Sequence, residues 1–225
     1  MNANDMVRDG IYYAAALVVA GLGLAYFVSW LLGLPLFLLA LFCLYFFRDP
    51  ERAVPEGAVA VSPADGRVVS IKAGDAGRTR VSIFLNIFDV HVNRTPIAGR
   101  IADVEYRPGR FLVASREGAS TDNEQNIVTV EGDGTRVVFK QIAGLIARRI
   151  VFTKQVGDFV QAGERVGMIK FGSRVDVLFG PEWRVEVSPG SHVSAGSSVL
   201  ARRVGEIELP LTLATAIEEA ALCQT

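Results

Sequence analysis

Three short segments hold most of the residue types that could do chemistry. In Lys170-Phe-Gly-Ser-Arg-Val-Asp176, the pair Gly172-Ser173 stands between two strand-like runs, Val166–Phe171 and Val175–Leu178. A serine hydroxyl becomes a useful nucleophile once a base takes its proton. Glycine before it admits backbone angles that could strain the intervening peptide and expose its carbonyl. A β-bulge or turn accounts for the same pair without chemistry, and Gly190-Ser191 and Gly196-Ser197 do occur in turn-like sequence. The second segment, Phe84 to Pro96, sets Asn86, Asp89, His91, Asn93 and Arg94 into an otherwise apolar stretch. On an extended chain Asp89, His91 and Asn93 share one face. With an ordinary pKa near ~6.5, His91 suits proton transfer at neutral pH; a satisfied structural histidine is the alternative. The third segment is Ser62-Pro-Ala-Asp-Gly-Arg67, where Asp65 before glycine reads as a turn residue accepting backbone donors.

The rest of the composition narrows the chemistry. His91 and His192 are the only histidines, and Cys43 and Cys223 the only cysteines. Neither a histidine-rich zinc centre nor a disulfide framework is expected, so no metal enters the reading. A net charge of −1, with no dense basic block, gives no reason to expect nucleic acid as a partner.

The elements that must position these residues fall into two parts. From Ile11 to Phe47 no side chain is charged, a run longer than the ~20 residues one spanning helix needs. Gly33-Leu34-Pro35 interrupts it, which predicts two apolar helices, Ile11–Leu32 and Pro35–Phe47, joined by a tight turn. Arg8 precedes the pair and Arg48 and Arg52 follow it, so the positive-inside tendency predicts a hairpin with both ends at the cytoplasmic face of the cell membrane. Tyr12, Tyr13, Tyr45, Phe46 and Phe47 stand where an interfacial aromatic belt would lie. A cleaved signal peptide fits poorly, because the run is too long and ends in Phe-Phe-Arg-Asp-Pro.

After Pro50 short alternating or β-branched runs are separated by glycine, aspartate and proline. Strands are expected at Arg67–Ile71, Val81–Ile87, Ile101–Tyr106, Ile127–Val130, Val137–Ile142, Val166–Phe171, Val175–Leu178 and Val185–Val187, with one amphipathic helix at Pro210–Leu222. The fold class is mainly β, a sandwich or partly open barrel preceded by an apolar helical hairpin. Residues 1–50 are the anchoring hairpin and 51–225 the β-rich catalytic domain. Val156 to Gly163 and Val187 to Gly196 each end in Val-x-Ala-Gly, which resembles the glycine-paced hairpins of lipoyl- and biotinyl-type barrel sandwiches; two unrelated hairpins with similar turns are the simpler reading.

Pro63-Ala-Asp-Gly66, Asp89-Val-His91 with Asn93-Arg94 and Pro96, Asn123-Glu-Gln-Asn126, Gln141-Ile-Ala-Gly144 with Ala147-Arg148, and Phe171-Gly-Ser-Arg174 occur in this order behind Phe46-Phe-Arg-Asp-Pro50. Together they resemble phosphatidylserine decarboxylase, in its compact bacterial branch. The resemblance implies self-cleavage between Gly172 and Ser173 into chains 1–172 and 173–225, with Ser173 becoming a pyruvoyl cofactor. That group would form a Schiff base with the amine of phosphatidylserine and release CO2 and phosphatidylethanolamine. It implies His91 as the base and Asp65 as the residue that holds it. Larger members carry a second histidine where this chain has Arg94; this arginine is a candidate for the lipid phosphate and equally for a structural ion pair. Expected partners are phosphatidylserine, the bilayer and the two chains of one precursor, with a second copy of the chain kept as a candidate homodimer partner. A membrane-anchored barrel-sandwich carrier or adaptor without catalysis is the competing reading.

Overall fold

The computed structural model describes residues 3–73, 77–145, 149–170 and 172–205. The expected helix Pro210–Leu222, Cys223, Phe171 and Ala147-Arg148 lie outside them.

Two helices lead the chain, α1 (Ala3–Phe27) and α2 (Trp30–Phe46). Within α1, Arg8–Phe27 is long and apolar enough to cross a membrane. The hairpin forms as expected, but its turn is at Val28-Ser29 rather than at Gly33-Leu34-Pro35. Ser29 is extended and its hydroxyl oxygen accepts from the Leu31 N–H, which caps the new helix. Pro35 is carried inside α2. Gly33 serves helix packing instead: a Cβ there would lie 2.6 Å from the Gly21 carbonyl oxygen, and a Cβ on Gly21 would lie 2.8 Å from the Phe37 ring. Facing glycines let two apolar helices approach closely. Tyr12, Tyr13 and Tyr45 are exposed, but Phe46 and Phe47 are buried and belong to a protein core rather than a belt.

The remainder is mainly β, as expected. Its elements are β1 (Val59–Val61), β2 (Gly66–Ala73), β3 (Thr79–Leu85), β4 (Val92–Arg94), β5 (Gly99–Arg107), a short helix α3 (Ala119–Asp122), β6 (Gln125–Gly132), β7 (Thr135–Ile142) and β8 (Ile150–Phe152). They continue with β9 (Phe159–Val160), β10 (Arg165–Ile169), β11 (Ser173–Phe179), β12 (Trp183–Val185), β13 (His192–Val193) and β14 (Val199–Arg203). An eight-stranded sheet runs β13-β2-β3-β11-β7-β6-β5-β9, and two three-stranded sheets run β4-β10-β8 and β1-β14-β12. All named ladders are antiparallel. The inner face of the large sheet supplies Val81, Ile83, Phe139, Val175 and Val177 to the main core.

Two further relations organise the site. Pro63-Ala-Asp-Gly66 and Pro96-Ile-Ala-Gly99 are equivalent entries into β2 and β5. Gly66 and Gly99 take φ of 142° and 154°, and a Cβ on either would strike the carbonyl of Phe84 or Glu131. The Val-x-Ala-Gly repeats meet at Gly163 and Gly196, whose backbones pack against each other. A second core joins Phe46 and Phe47 to Val90, Val92, Val151 and Met168. The boundary drawn at residue 50 therefore runs through a shared core, with the last turn of α2 built into the β-rich part.

Candidate active site

Ser173 is the first residue of β11, and its neighbour in β3 is Leu85. It is fully buried, and its hydroxyl has no hydrogen-bond partner. Gly172 before it has φ +60°, the left-handed region that L side chains rarely adopt, although a Cβ at that position would meet nothing within 4 Å. The carbonyl of Gly172 lies directly over Gly144, where any Cβ would collide with it. Glycine at 144 thus makes room for the carbonyl that a Ser173 nucleophile would attack.

Strand alternation divides the next residues between two faces. Ser173, Val175 and Val177 face inward, and Arg174 and Asp176 face outward. Arg174 is almost fully buried there. Its Nε donates to Asp176 Oδ1 at 2.6 Å, its Nη2 to Ser82 Oγ at 2.7 Å and its Nη1 to the Arg116 carbonyl at 3.3 Å. Ser120 Oγ, from α3, donates to the other Asp176 oxygen at 2.6 Å. A buried charge pair survives only when its hydrogen bonds are met, and these contacts meet them.

On the inner face, register sets Gln141 opposite Val175 and Asn126 opposite Gln141. Three carboxamides form a directed chain: Asn126 Nδ2 donates to Gln141 Oε1 at 3.1 Å, and Gln141 Nε2 to Asn93 Oδ1 at 2.9 Å. Asn93 Nδ2 is left without a partner. Gly167 pairs with Asn93 across the small sheet, and a Cβ there would press to 2.9 Å from Gln141 Nε2. The chain bridges the eight-stranded sheet and the β4-β10-β8 sheet, opposite Val175, which lies two residues beyond Ser173 on the same face of β11.

His91 stands two residues before Asn93. The amide of Ile169, at the end of β10, donates to the His91 carbonyl at 3.4 Å. Four residues later the chain enters β11 at Ser173; the Ser173 hydroxyl and the His91 Nε2 are not hydrogen-bonded to each other, since neither has a partner. Nδ1 of His91 lies 2.9 Å from the Asp89 carbonyl oxygen. A carbonyl can only accept, so Nδ1 carries the proton and Nε2 presents a lone pair. Nε2 is buried and has no partner. Burial pushes the imidazole pKa down to about 4, against the opposing Asp89 hydrogen bond, so His91 is neutral at pH 7. The Phe46 ring packs on it at 4.2 Å between centroids.

Asp65 does not hold His91. Both of its oxygens accept from Arg52 Nη2, at 3.1 and 2.8 Å, and Oδ1 also accepts from the Ala195 N–H at 2.7 Å. The Asp89 carbonyl reaches Nδ1 from within the same turn and takes that role. Arg94 is likewise committed inside the protein, to Asp49 Oδ1 at 2.8 Å, Gly163 O at 3.0 Å and Pro50 O at 3.2 Å. Its environment is that of an ion-pair partner, not of an open phosphate site. Lys170, two residues before Gly172, donates to Asp9 of α1 at 2.9 Å.

Asn93, Asn126, Gln141 and Phe46 were named from the sequence, but the linkage of the three carboxamides, the Asp89 carbonyl as partner of His91 and the packing of Phe46 on that ring were not read from it. Asp176 had a readable signal, since it alternates with Ser173 and Val175 beside Arg174 in a strand with no other charge. Among the described residues no cluster of three or more histidine, cysteine, aspartate or glutamate side chains could hold a metal ion. The arrangement offers a desolvated hydroxyl, a neutral imidazole with a free lone pair and an unpartnered amide donor. That set suits nucleophilic attack on a neighbouring carbonyl and then proton transfer in a dry site.

Residues 39–201 match the sequence pattern of the family described as phosphatidylserine decarboxylase. The chain is 67% identical over 199 residues to a phosphatidylserine decarboxylase proenzyme of Solibacter usitatus, covering 88% of this chain and 97% of that one. It is 45% identical over 210 residues to the proenzyme of Nitratidesulfovibrio vulgaris, covering 90% and 96%. It is 46% identical over 224 residues to that of Erythrobacter litoralis, covering 90% and 87%.

Proposed function

The chain belongs to the phosphatidylserine decarboxylase family, and on that premise we propose how its own residues carry the reaction. It is a decarboxylase that converts phosphatidylserine to phosphatidylethanolamine and CO2. We read Gly172-Ser173 as the cleavage site of the proenzyme and Ser173 as the source of its pyruvoyl group. The observation that carries this reading is the buried Ser173 hydroxyl, without a partner, next to a left-handed Gly172 whose carbonyl has space kept for it by Gly144.

In maturation the Ser173 Oγ attacks the Gly172 carbonyl carbon while Nε2 of His91 takes the hydroxyl proton. The Gly172–Ser173 C–N bond breaks, the proton held by His91 passes to the departing Ser173 nitrogen, and an ester replaces the peptide bond. Removal of the Ser173 α-proton then expels the Gly172 carboxylate from Cβ. Water adds to the resulting dehydroalanine and ammonia leaves, giving a keto group at residue 173. A neutral His91 supports the role of base, because a protonated one could not accept. When formed, the pyruvoyl group supplies an electron sink for loss of the substrate carboxylate. Around it this chain contributes an apolar floor from Phe46, a proton carrier in His91 and an oriented donor in Asn93 Nδ2. β11 lies between β3 and β7, so fragments 1–172 and 173–225 would stay joined through one sheet.

The substrate is a membrane lipid, and α1 is long and apolar enough to cross a bilayer. We place the hairpin in the membrane with both ends cytoplasmic. The test is intact-mass analysis of purified protein: two chains are expected, the smaller beginning with a pyruvoyl at 173, and Ser173→Ala should give one uncut, inactive chain. Active protein with an unbroken Gly172–Ser173 bond would overturn the reading.

A further inference from the structure

The turn that leads into His91 has an unusual tip. Asn86 to Asp89 is a tight turn closed by the Asp89 N–H donating to the Asn86 carbonyl at 3.1 Å. It is stiffened by Asn86 Oδ1 accepting from the Phe88 N–H and Asp89 Oδ2 accepting from the Asn86 N–H, both at 2.8 Å. Its two central residues, where glycine, proline or a small polar side chain is usual, are Ile87 and Phe88, 39% and 63% exposed. The expected strand Val81–Ile87 would have given Ile87 a packed neighbour; β3 instead ends at Leu85.

This tip is fastened to the end of the helical hairpin. The Phe88 carbonyl accepts from Tyr45 OH at 3.2 Å and from Arg48 Nη2 at 2.7 Å, and the Arg48 guanidinium lies 3.8 Å above the Tyr45 ring. Tyr45 is exposed in the last turn of α2, and Tyr13, across the hairpin on α1, is exposed too. Tyrosine and arginine at the end of an apolar helix mark the headgroup level of a bilayer, and here they hold Phe88 at that level.

We propose that the Ile87–Phe88 tip is seated in the headgroup–acyl boundary of the membrane and forms the mouth through which phosphatidylserine passes to His91 and Ser173. The argument for lipid as the occupant is continuity: the tip extends the exposed apolar surface of the hairpin. The consequence is short range. His91 lies three residues beyond Phe88 and rests on Phe46, next to Tyr45, so a headgroup need not leave the interface to reach the buried site. The proposal rests on the hairpin being embedded, as read above.

Full-length Phe88→Ser, Phe88→Leu and wild-type protein are compared for cleavage by intact mass, for pelleting with phosphatidylcholine–phosphatidylserine vesicles, and for turnover. Turnover is expressed as a ratio, long-chain phosphatidylserine in vesicles over monomeric dihexanoyl phosphatidylserine. Losing one buried phenyl should lower that ratio roughly tenfold or more in Phe88→Ser, with Phe88→Leu restoring most of it. An unchanged ratio in Phe88→Ser would overturn the proposal while leaving the decarboxylase reading intact. So would a wild-type dimer in detergent that Phe88→Ser converts to a monomer, because a second copy would then cover the tip. Wild-type protein that fails to pellet with vesicles would instead remove the membrane reading on which the proposal stands.

Discussion

Arg174 Nε lies 2.6 Å from Asp176 Oδ1, in a pair sealed from water on the face of β11 opposite Ser173. The residue after Ser173 is thereby pinned from behind while the serine faces the inner side of the strand. Removing one partner of such a pair leaves the other charge buried and uncompensated. Arg174→Met in an uncleaved Ser173→Ala background should lose about 3–5 kcal/mol in urea unfolding. Adding Asp176→Leu should recover a large part. Equal instability of the single and double variants would show that packing, not the charge pair, dominates here.

The two glycines flanking the reaction should respond differently to alanine. Gly172→Ala meets no atom within 4 Å and suffers only the left-handed backbone, about 1–2 kcal/mol. It should fold and still cleave, more slowly. A Cβ on Gly144 would run into the Gly172 carbonyl, so Gly144→Ala should displace the carbonyl under attack and arrest cleavage. Time courses of chain separation after synthesis would distinguish them; faster cleavage in Gly144→Ala than in Gly172→Ala would contradict the assigned geometry.

His91 makes stability depend on pH in a stated direction. Its folded pKa is about 4 and its ordinary value 6.5. Between those values the unfolded chain takes up a proton that the folded chain refuses, so stability falls as pH drops from about 6.5 towards 4. The total is on the order of 3 kcal/mol, and below pH 4 this group adds no further change. Urea midpoints of Ser173→Ala protein at pH 7, 5.5 and 4 should show the loss. His91→Gln should remove this part of the slope, and an identical slope in both would mean that other groups cause it.

Much of the fold could be read from the sequence, because alternation is a local signal. The strands around Val68, Val81, Val104, Val128, Val137 and Val175 are where apolar residues alternate. Most strands that escaped reading, among them β1, β4, β8, β9 and β13, are two or three residues long, too short for a period to declare itself; β14 is five residues long and ends in Arg202-Arg203, which hides its alternation. The hairpin turn was misplaced because Gly33 and Pro35 look like a break, while the tertiary contact with Gly21 that needs a bare Cα is invisible in one dimension. Ser173 and His91 stood out by residue type. The partners of His91 and Asp65 did not, since a backbone carbonyl carries no sequence label and Arg52 and Ala195 lie on either side of Asp65 far apart in the chain. The Pro-x-x-Gly entries at 63–66 and 96–99 were there to be seen, and only their shared backbone angles give them meaning.

Phe46 and Phe47 close the floor under Val90, Val92 and Met168, and this bears on any attempt to solubilise the enzyme. Trimming the chain to start at Glu51 would strip two aromatic rings from the core beside His91 and leave that histidine facing solvent, where its proton affinity would rise. A water-soluble version has to keep the final turn of α2 and recolour the outward surface of the hairpin. Deletion would take the ring that packs on His91 along with the hairpin.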